Sequence, residues 1–145
     1  MDFMTALDIG ASALTADRMT LNVTAMNLAN AKTTRTPQGG PYQRRTVIRA
    51  ATDVDHPFSS HMKTALDREL KGVRIMNVLP DRRPPKKIYE PGHPDADEEG
   101  MVTYPDINVV EEMANMMTAQ RNYEANVTTV ETIKAMYNKA LEISR

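Results

Sequence analysis

Two long segments with an apolar stripe lie at the ends of this 145-residue chain, roughly residues 4–31 and 108–143, with a proline-rich and charged stretch between them. A chain this short can bury two such faces only by bringing them together or by giving them to neighbours. Assembly is therefore the leading expectation. The length has room for one ordinary domain, or for a long helical pair carrying a small inserted unit.

The first segment reads as a helix. Leu7, Leu14, Leu21 and Leu28 recur every seven residues, and Met4, Ala11 and Ala25 stand three residues before three of them. Arg18 fills the fourth place of that second series, so the stripe is imperfect as a coiled-coil seam. Gly10 costs about 1 kcal/mol of helix propensity relative to alanine and marks either a bend or a close packing. The C-terminal segment is more regular. Val109, Met113, Met116, Gln120, Tyr123, Val127, Val130, Lys134, Tyr137 and Leu141 follow alternating steps of four and three. Val110, Met117, Ile133, Met136 and Ala140 widen that face enough to meet more than one partner helix. Asn108 or Asp106 is placed to cap its start, and Glu111 and Glu112 suit the positive end of its dipole, as Lys139 and Arg145 suit the other end.

Between the helices, Pro37, Gly39, Gly40 and Pro41 stop any helix, and YQRRTVIRA then alternates as a strand. GVRIMNVL, from Gly72, reads as a second strand with Val73, Ile75 and Asn77 on one side and Arg74, Met76 and Val78 on the other. KKIYE, after Pro84 and Pro85, is a short third strand. Residues 91–105 carry Pro91, Gly92, Pro94, Gly100 and Pro105 and are expected to be an ordered extended or turning connection. The chain thus divides into 1–36, an N-terminal helix and turn; 37–107, a small β or extended middle region with a flexible 53–67; and 108–145, a long C-terminal helix. The fold class is mainly α with a small β-rich insertion, its terminal helices packed as a coiled-coil-like layer.

Composition removes several functions. Aromatics are 5% of the chain and eleven methionines supply much of the apolar volume, which suits an adaptable packing surface. A net charge of -1 argues against a nucleic-acid partner, since the basic run of Arg82, Arg83, Lys86 and Lys87 is balanced by Asp95, Asp97, Glu98 and Glu99. The absence of cysteine excludes thiol catalysis, disulfides and thiolate metal sites. No stretch approaches 18 uninterrupted apolar residues, so no transmembrane helix is expected, and the acidic start with Asp8 in its apolar run is wrong for a cleaved secretory leader.

Catalysis finds no foothold. The cluster from His93 to Glu99 sets four carboxylates beside an imidazole, but lacks the residue order of a calcium loop, and a solvated turn is the better reading. His56 and His61 are five apart, off a common helical face and without a third ligand. Ser12, Ser59 and Ser60 have no elbow or base beside them, and Gly39-Gly40-Pro41 is not followed by the lysine of a phosphate loop. No catalytic residue, metal or cofactor is expected. Asn22, Asn27 and Asn30 are read either as a polar helix face running into a turn or as amides that fix register at a subunit seam.

SALTADRMTLNVTAMNLANAKTTRT resembles the N-terminal signature of the flagellar rod and hook axial proteins, whose pattern ends in Asn-Asn-Ile-Ala-Asn and a threonine-rich turn. Here it reads Met26, Asn27, Leu28, Ala29 and Asn30, departing at Met26. GGPYQRR at 39–45, YEPGHPDADEEGMVTYPDINVVEEM at 89–113 and the closing MMTAQRNYEANVTTVETIKAMYNKALEI narrow the likeness to the proximal rod proteins of that family. Met101 stands where the family usually has an aromatic, and Asp106 where it usually has asparagine.

The resemblance implies a structural subunit and no enzyme. Its terminal helices would be poorly ordered before assembly and would stack as the inner layer of a hollow helical tube, with the middle region packed outward. It implies a place in the rod that crosses the periplasm and carries torque from the membrane rotor, in the wall of the export channel, after export by the flagellar type III apparatus without a cleaved leader. Implied partners are copies of itself, other rod proteins, the adaptor at the rod base and the export apparatus. Leu7, Leu14, Leu21, Met113, Met116, Tyr123, Val127 and Val130 are expected to bury the helical seam within and between subunits. Asn27, Asn30, Glu112, Arg121 and Asn126 are expected to fix register, by resemblance and by position. A helical export chaperone or adaptor is the alternative, disfavoured by the glycine and proline motifs of the insertion; a metal-dependent hydrolase comes third.

Overall fold

The computed structural model describes residues 3–53 and 70–143. Helix α1 runs Phe3–Ala29 and helix α2 Val109–Ile143. Between them come β1 (Arg45–Asp53), β2 (Lys71–Pro80), β3 (Lys86–Tyr89) and β4 (Met101–Tyr104). The expected flexibility of 53–67 falls, beyond Asp53, outside the described residues, as do His56, His61, Ser59, Ser60 and Arg145.

Both helices end where their polar residues satisfy the backbone. Asn108 caps α2, its Oδ1 accepting from the Val110 and Glu111 N–H groups at 3.0 and 3.4 Å. Asp106, the other candidate cap, instead takes an ion pair from Lys86 at 2.6 Å. At the end of α1, Asn30 Nδ2 donates to the Met26 carbonyl and its Oδ1 accepts from Thr33 Oγ1. The chain then turns through Gly39 and Gly40, both at positive φ, and Tyr42 N donates to Thr33 O at 3.0 Å.

Among its described residues the insertion forms two separate antiparallel pairs, β1 with β2 and β3 with β4. In the first, Ile48 lies opposite Asn77 and Arg49 opposite Ile75, so Met76 is an extra residue in β2. This bulge corrects the strict alternation expected for β2. Val78 joins Val73 and Ile75 on the half-buried side, while Met76 and Asn77 are exposed. The second pair aligns Lys86 with Tyr104 and Tyr89 with Met101. Residues 101–104, expected within a connection, are therefore a strand, entered from Gly100 at φ 76°, where a side chain would meet the Tyr89 ring.

The helices lie antiparallel, with contacts that descend α2 as they climb α1. The Phe3 and Tyr137 rings meet edge to face with centroids 5.5 Å apart. A Cβ on Gly10 would sit 2.6 Å from Val130 Cγ2, so this glycine marks a close packing rather than a bend. Asn126 Nδ2 donates to Asp17 Oδ2 at 2.8 Å, and Asn27 Nδ2 to Glu112 Oε2 at 3.0 Å. Phe3, Gly10 and Asp17 are seven residues apart. The line that α1 turns to α2 therefore stands three residues after Leu7 and Leu14. The series three residues before the leucines, Met4, Ala11, Arg18 and Ala25, is exposed.

Candidate assembly interface

Among the described residues the buried apolar side chains are Ala16, Val23, Val102, Ile107 and Ala119, a small set for two helices of this length. Four polar residues are buried with them: Asp17, Thr24, Asn27 and Glu112. The accessible surface is 10638 Å², against roughly 7,500 Å² for a compact monomer of this mass.

Three of these, Asp17, Asn27 and Glu112, form two anchors that hold β1 on the helix pair. At the first, Asn27 (1% exposed) is satisfied by four hydrogen bonds. Its Nδ2 donates to Glu112 Oε2 and to the Arg45 carbonyl at 2.8 Å, and its Oδ1 accepts from Arg45 N at 2.9 Å and Tyr42 Oη at 3.0 Å. Glu112 (1% exposed) accepts at Oε1 from Arg44 Nε at 2.8 Å and Nη2 at 2.7 Å. Arg44 Nη1 reaches on to Asp81 Oδ2 at 3.2 Å. Burial pushes the Tyr42 phenol above its ordinary pKa, with Arg45 opposing and Glu112 reinforcing, so it remains a hydrogen-bond donor.

At the second anchor Asp17 (2% exposed) accepts from Arg49 Nη1 at 3.0 Å and from Asn126, and Arg49 Nη2 also donates to Thr20 Oγ1 at 2.5 Å. A cleft of about 270 Å³ lies between these anchors and β1, with Val23, Thr46, Asn115 and Asn122 on its walls. Ser12 Oγ accepts from Val73 N at 3.1 Å, fixing β2 to α1 as well. Each buried carboxylate thus has a guanidinium and an amide as partners, which offsets the cost of taking it out of water.

The residues singled out for register divide into two groups. Asn27, Glu112 and Asn126 stand in these anchors; Asn30 bonds locally at the end of α1, and Arg121 is exposed without a hydrogen bond or ion pair among the described residues. Of the residues singled out for the seam, Leu7, Leu14, Leu21, Met116, Tyr123, Val127 and Val130 are half-buried, and Met113 is 52% exposed. On α2, the line facing α1 includes Glu112 and Asn126, with buried Ala119 between them at the same seven-residue spacing. Met113 and Val127 are each one position further along. Sequence reasoning missed Asp17, Tyr42, Arg44, Arg49 and Asp81. A usable signal was Asp17 standing three residues after Leu14, within an apolar helix.

Towards solvent α2 carries two apolar clusters, one in its first turns and one in its last, with mostly polar residues such as Gln120, Arg121, Glu124, Thr128, Glu131 and Lys134 exposed between them. Val110 is 75% exposed and Met117 55%, with Val109 and Met113 beside them; Met136, Leu141 and Ile143 are exposed in the last turns. In the candidate cation cluster two of the four carboxylates take protein donors. Asp97 Oδ1 accepts from the Glu99 and Met101 N–H groups, Asp95 Oδ2 accepts from Thr34 Oγ1 at 2.7 Å, and His93 meets the Tyr104 ring.

Comparison with known proteins fits a chain built to pack against others. Residues 98–143 match the family described as flagellar basal body rod FlgEFG protein C-terminal. Over essentially its whole length the chain is 38% identical to the flagellar basal-body rod protein FlgC of Borreliella burgdorferi, covering 99% of this chain and 98% of that one. It is 38% identical to FlgC of Escherichia coli O6:H1, each chain covered in full, and 35% identical to FlgC of Bacillus subtilis, with 97% of each covered. The chain belongs to the FlgC family of flagellar basal-body rod proteins. The stretch matched by the rod-protein C-terminal family contains β4, Asn108, Glu112 and Asn126, so it includes the α2 half of both anchors of this chain. No helix among the described residues is long and apolar enough to cross a membrane.

Proposed function

We propose that this chain is a structural subunit of the flagellar proximal rod, without enzymatic activity. The observation that carries the reading is the imbalance between a small buried apolar set and the exposed apolar clusters at the two ends of α2, in a chain whose relatives are named basal-body rod proteins. Exposed apolar clusters of this kind mark a surface for contact with other chains. In the proposed assembly residues 1–36 and 108–145 form the inner layer of a hollow tube and 37–107 pack outward and between copies. A head-to-tail contact repeated on a helix does not close on itself, which is how identical contacts build a rod. The half-buried Leu7, Leu14, Leu21, Met116, Tyr123, Val127 and Val130, with exposed Met113, supply the seam between and within copies. Asn27, Glu112 and Asn126 hold its register, and Asn30 and Arg121 contribute at its polar margin.

In that position the subunit carries torque from the membrane rotor across the periplasm and lines the export channel. Its partners are its own copies, other rod proteins, the rod-base adaptor and the type III export apparatus that delivers it. Mass spectrometry of purified basal bodies, before and after rod disassembly, tests this. A near-constant ratio to known rod components is expected; recovery only in soluble export fractions overturns the reading in favour of a chaperone or adaptor.

A further inference from the structure

The two anchors have a shared logic with the roles exchanged. At one, α1 supplies the amide and α2 the carboxylate, Asn27 with Glu112; at the other, α1 supplies the carboxylate and α2 the amide, Asp17 with Asn126. Each carboxylate is closed by an arginine from the start or middle of the same strand region, Arg44 or Arg49. We propose that these crossed carboxylate–amide pairs are an orientation code, which admits α1 beside α2 in antiparallel register and rejects like helices brought together by assembly.

The physical basis is the cost of a carboxylate without a donor. A side-chain amide gives a carboxylate an N–H; a second carboxylate gives it only repulsion. In a head-to-tail helical assembly every copy points the same way, so like helices of neighbouring copies meet in parallel. At equal height a parallel contact sets Asp17 against Asp17 or Glu112 against Glu112. The small residues on the seam make such a safeguard necessary, because Gly10 and Ala119 have no bulk with which to refuse a wrong partner. Arg44 and Arg49 are positioning residues in this scheme. Each reaches its carboxylate only when β1 is seated, so the helix pair and the hairpin settle into one arrangement. The competition between copies rests on the assembly reading above; the intrachain code does not.

The test uses the absence of cysteine from the natural chain. In the full-length protein, Gly10→Cys with Val130→Cys places two thiols at the closest approach of the helices. The parent pair is expected to form an intrachain disulfide. Adding Asn126→Asp, which sets a second carboxylate against Asp17 Oδ2 in place of a donor, is expected to slow intrachain closure on the order of tenfold. Exchanging the roles with Asp17→Asn and Asn126→Asp together is expected to bring the rate back to within about threefold of the parent, since a donor again faces a carboxylate. The 17/126 pair is the one to exchange, because Asn27 also bonds the Arg45 backbone and an aspartate there would oppose a carbonyl. Closure of the Asn126→Asp variant at the parent rate, or an exchanged variant as slow as Asn126→Asp, overturns the code. A parent that yields only interchain disulfides also overturns it. That result is separate from rod incorporation, which is scored by basal-body content.

Discussion

The N-terminal half of α2 meets α1 largely through polar side chains and exposes apolar ones in its first turns, whereas its C-terminal half meets α1 through the apolar Val130 and Tyr137. In the N-terminal half the inward line carries Glu112, Ala119 and Asn126, while the outward surface carries Val110, Met113 and Met117. In a monomeric domain the more apolar line goes inside, because burial of apolar area drives packing. Here the chain spends polar pairs on its own helix pairing and leaves apolar area for contacts elsewhere. Under the proposed assembly, the polar intrachain pairs supply specificity and the exposed apolar clusters supply adhesion, with methionine giving those clusters tolerance for differently shaped partners.

The contrast breaks most severely from the inside. Glu112→Leu leaves the half-buried Arg44 with Asp81 as its remaining carboxylate partner and removes one of the two acceptors of Asn27 Nδ2. It is expected to cost about 3–5 kcal/mol of stability, read by denaturant unfolding followed at the helical circular dichroism band. Gly10→Ala is expected to cost about 1 kcal/mol, the overpacking against Val130 outweighing the gain in helix propensity. Adding Val130→Ala should recover that loss, and failure to do so would remove close approach as the reason for the glycine.

The outer face should answer differently. Met117→Asp is expected to change the stability of the chain by no more than about 0.5 kcal/mol, yet to abolish incorporation into basal bodies and motility. Met116→Asp, at a half-buried position, should lose both stability and incorporation. Normal motility in either variant would sink the assignment of this surface to assembly.

The smallest effect belongs to the exposed ion pairs of the insertion. The Lys86 ammonium holds the Asp106 carboxyl below its ordinary pKa, as Arg83 does first for Asp81. A carboxylate depressed in the folded state adds stability above its unfolded pKa and loses it as pH falls through the folded value. Asp106→Asn should therefore be slightly less stable than the parent at neutral pH and indistinguishable in acid below both values. A difference that persists in acid would show that packing, not charge, is at issue.

Much of this arrangement was legible from the order of residues. The helix limits follow from the stripes together with Asn108 and the glycine turn, and both lie within about two residues of expectation. What escaped were features decided between elements. The extra Met76 reverses the phase of β2 only because Ile48 and Arg49 pair as they do. Met101–Tyr104 is too short and too flanked by proline to read as a strand until Lys86–Tyr89 lies beside it. Ranking by apolarity favours Met113 over Glu112 for an inward position, and only Arg44, far away in the chain, reverses that ranking. Asn27, Glu112 and Asn126 were legible as polar residues on striped helices; Asp17 and the arginines needed the fold to bring them together.

The amide of Asn27 bonds both the N–H and the C=O of Arg45, taking the place that a neighbouring strand would occupy. Helix and strand are thereby riveted by the side chain itself, whatever path the intervening chain takes. Residues 37–40 are exposed, and lengthening such a surface excursion costs little in closure entropy. The turn at Gln38 is thus a natural port for a small tag or reporter, one that leaves the joint between the first helix and the hairpin undisturbed.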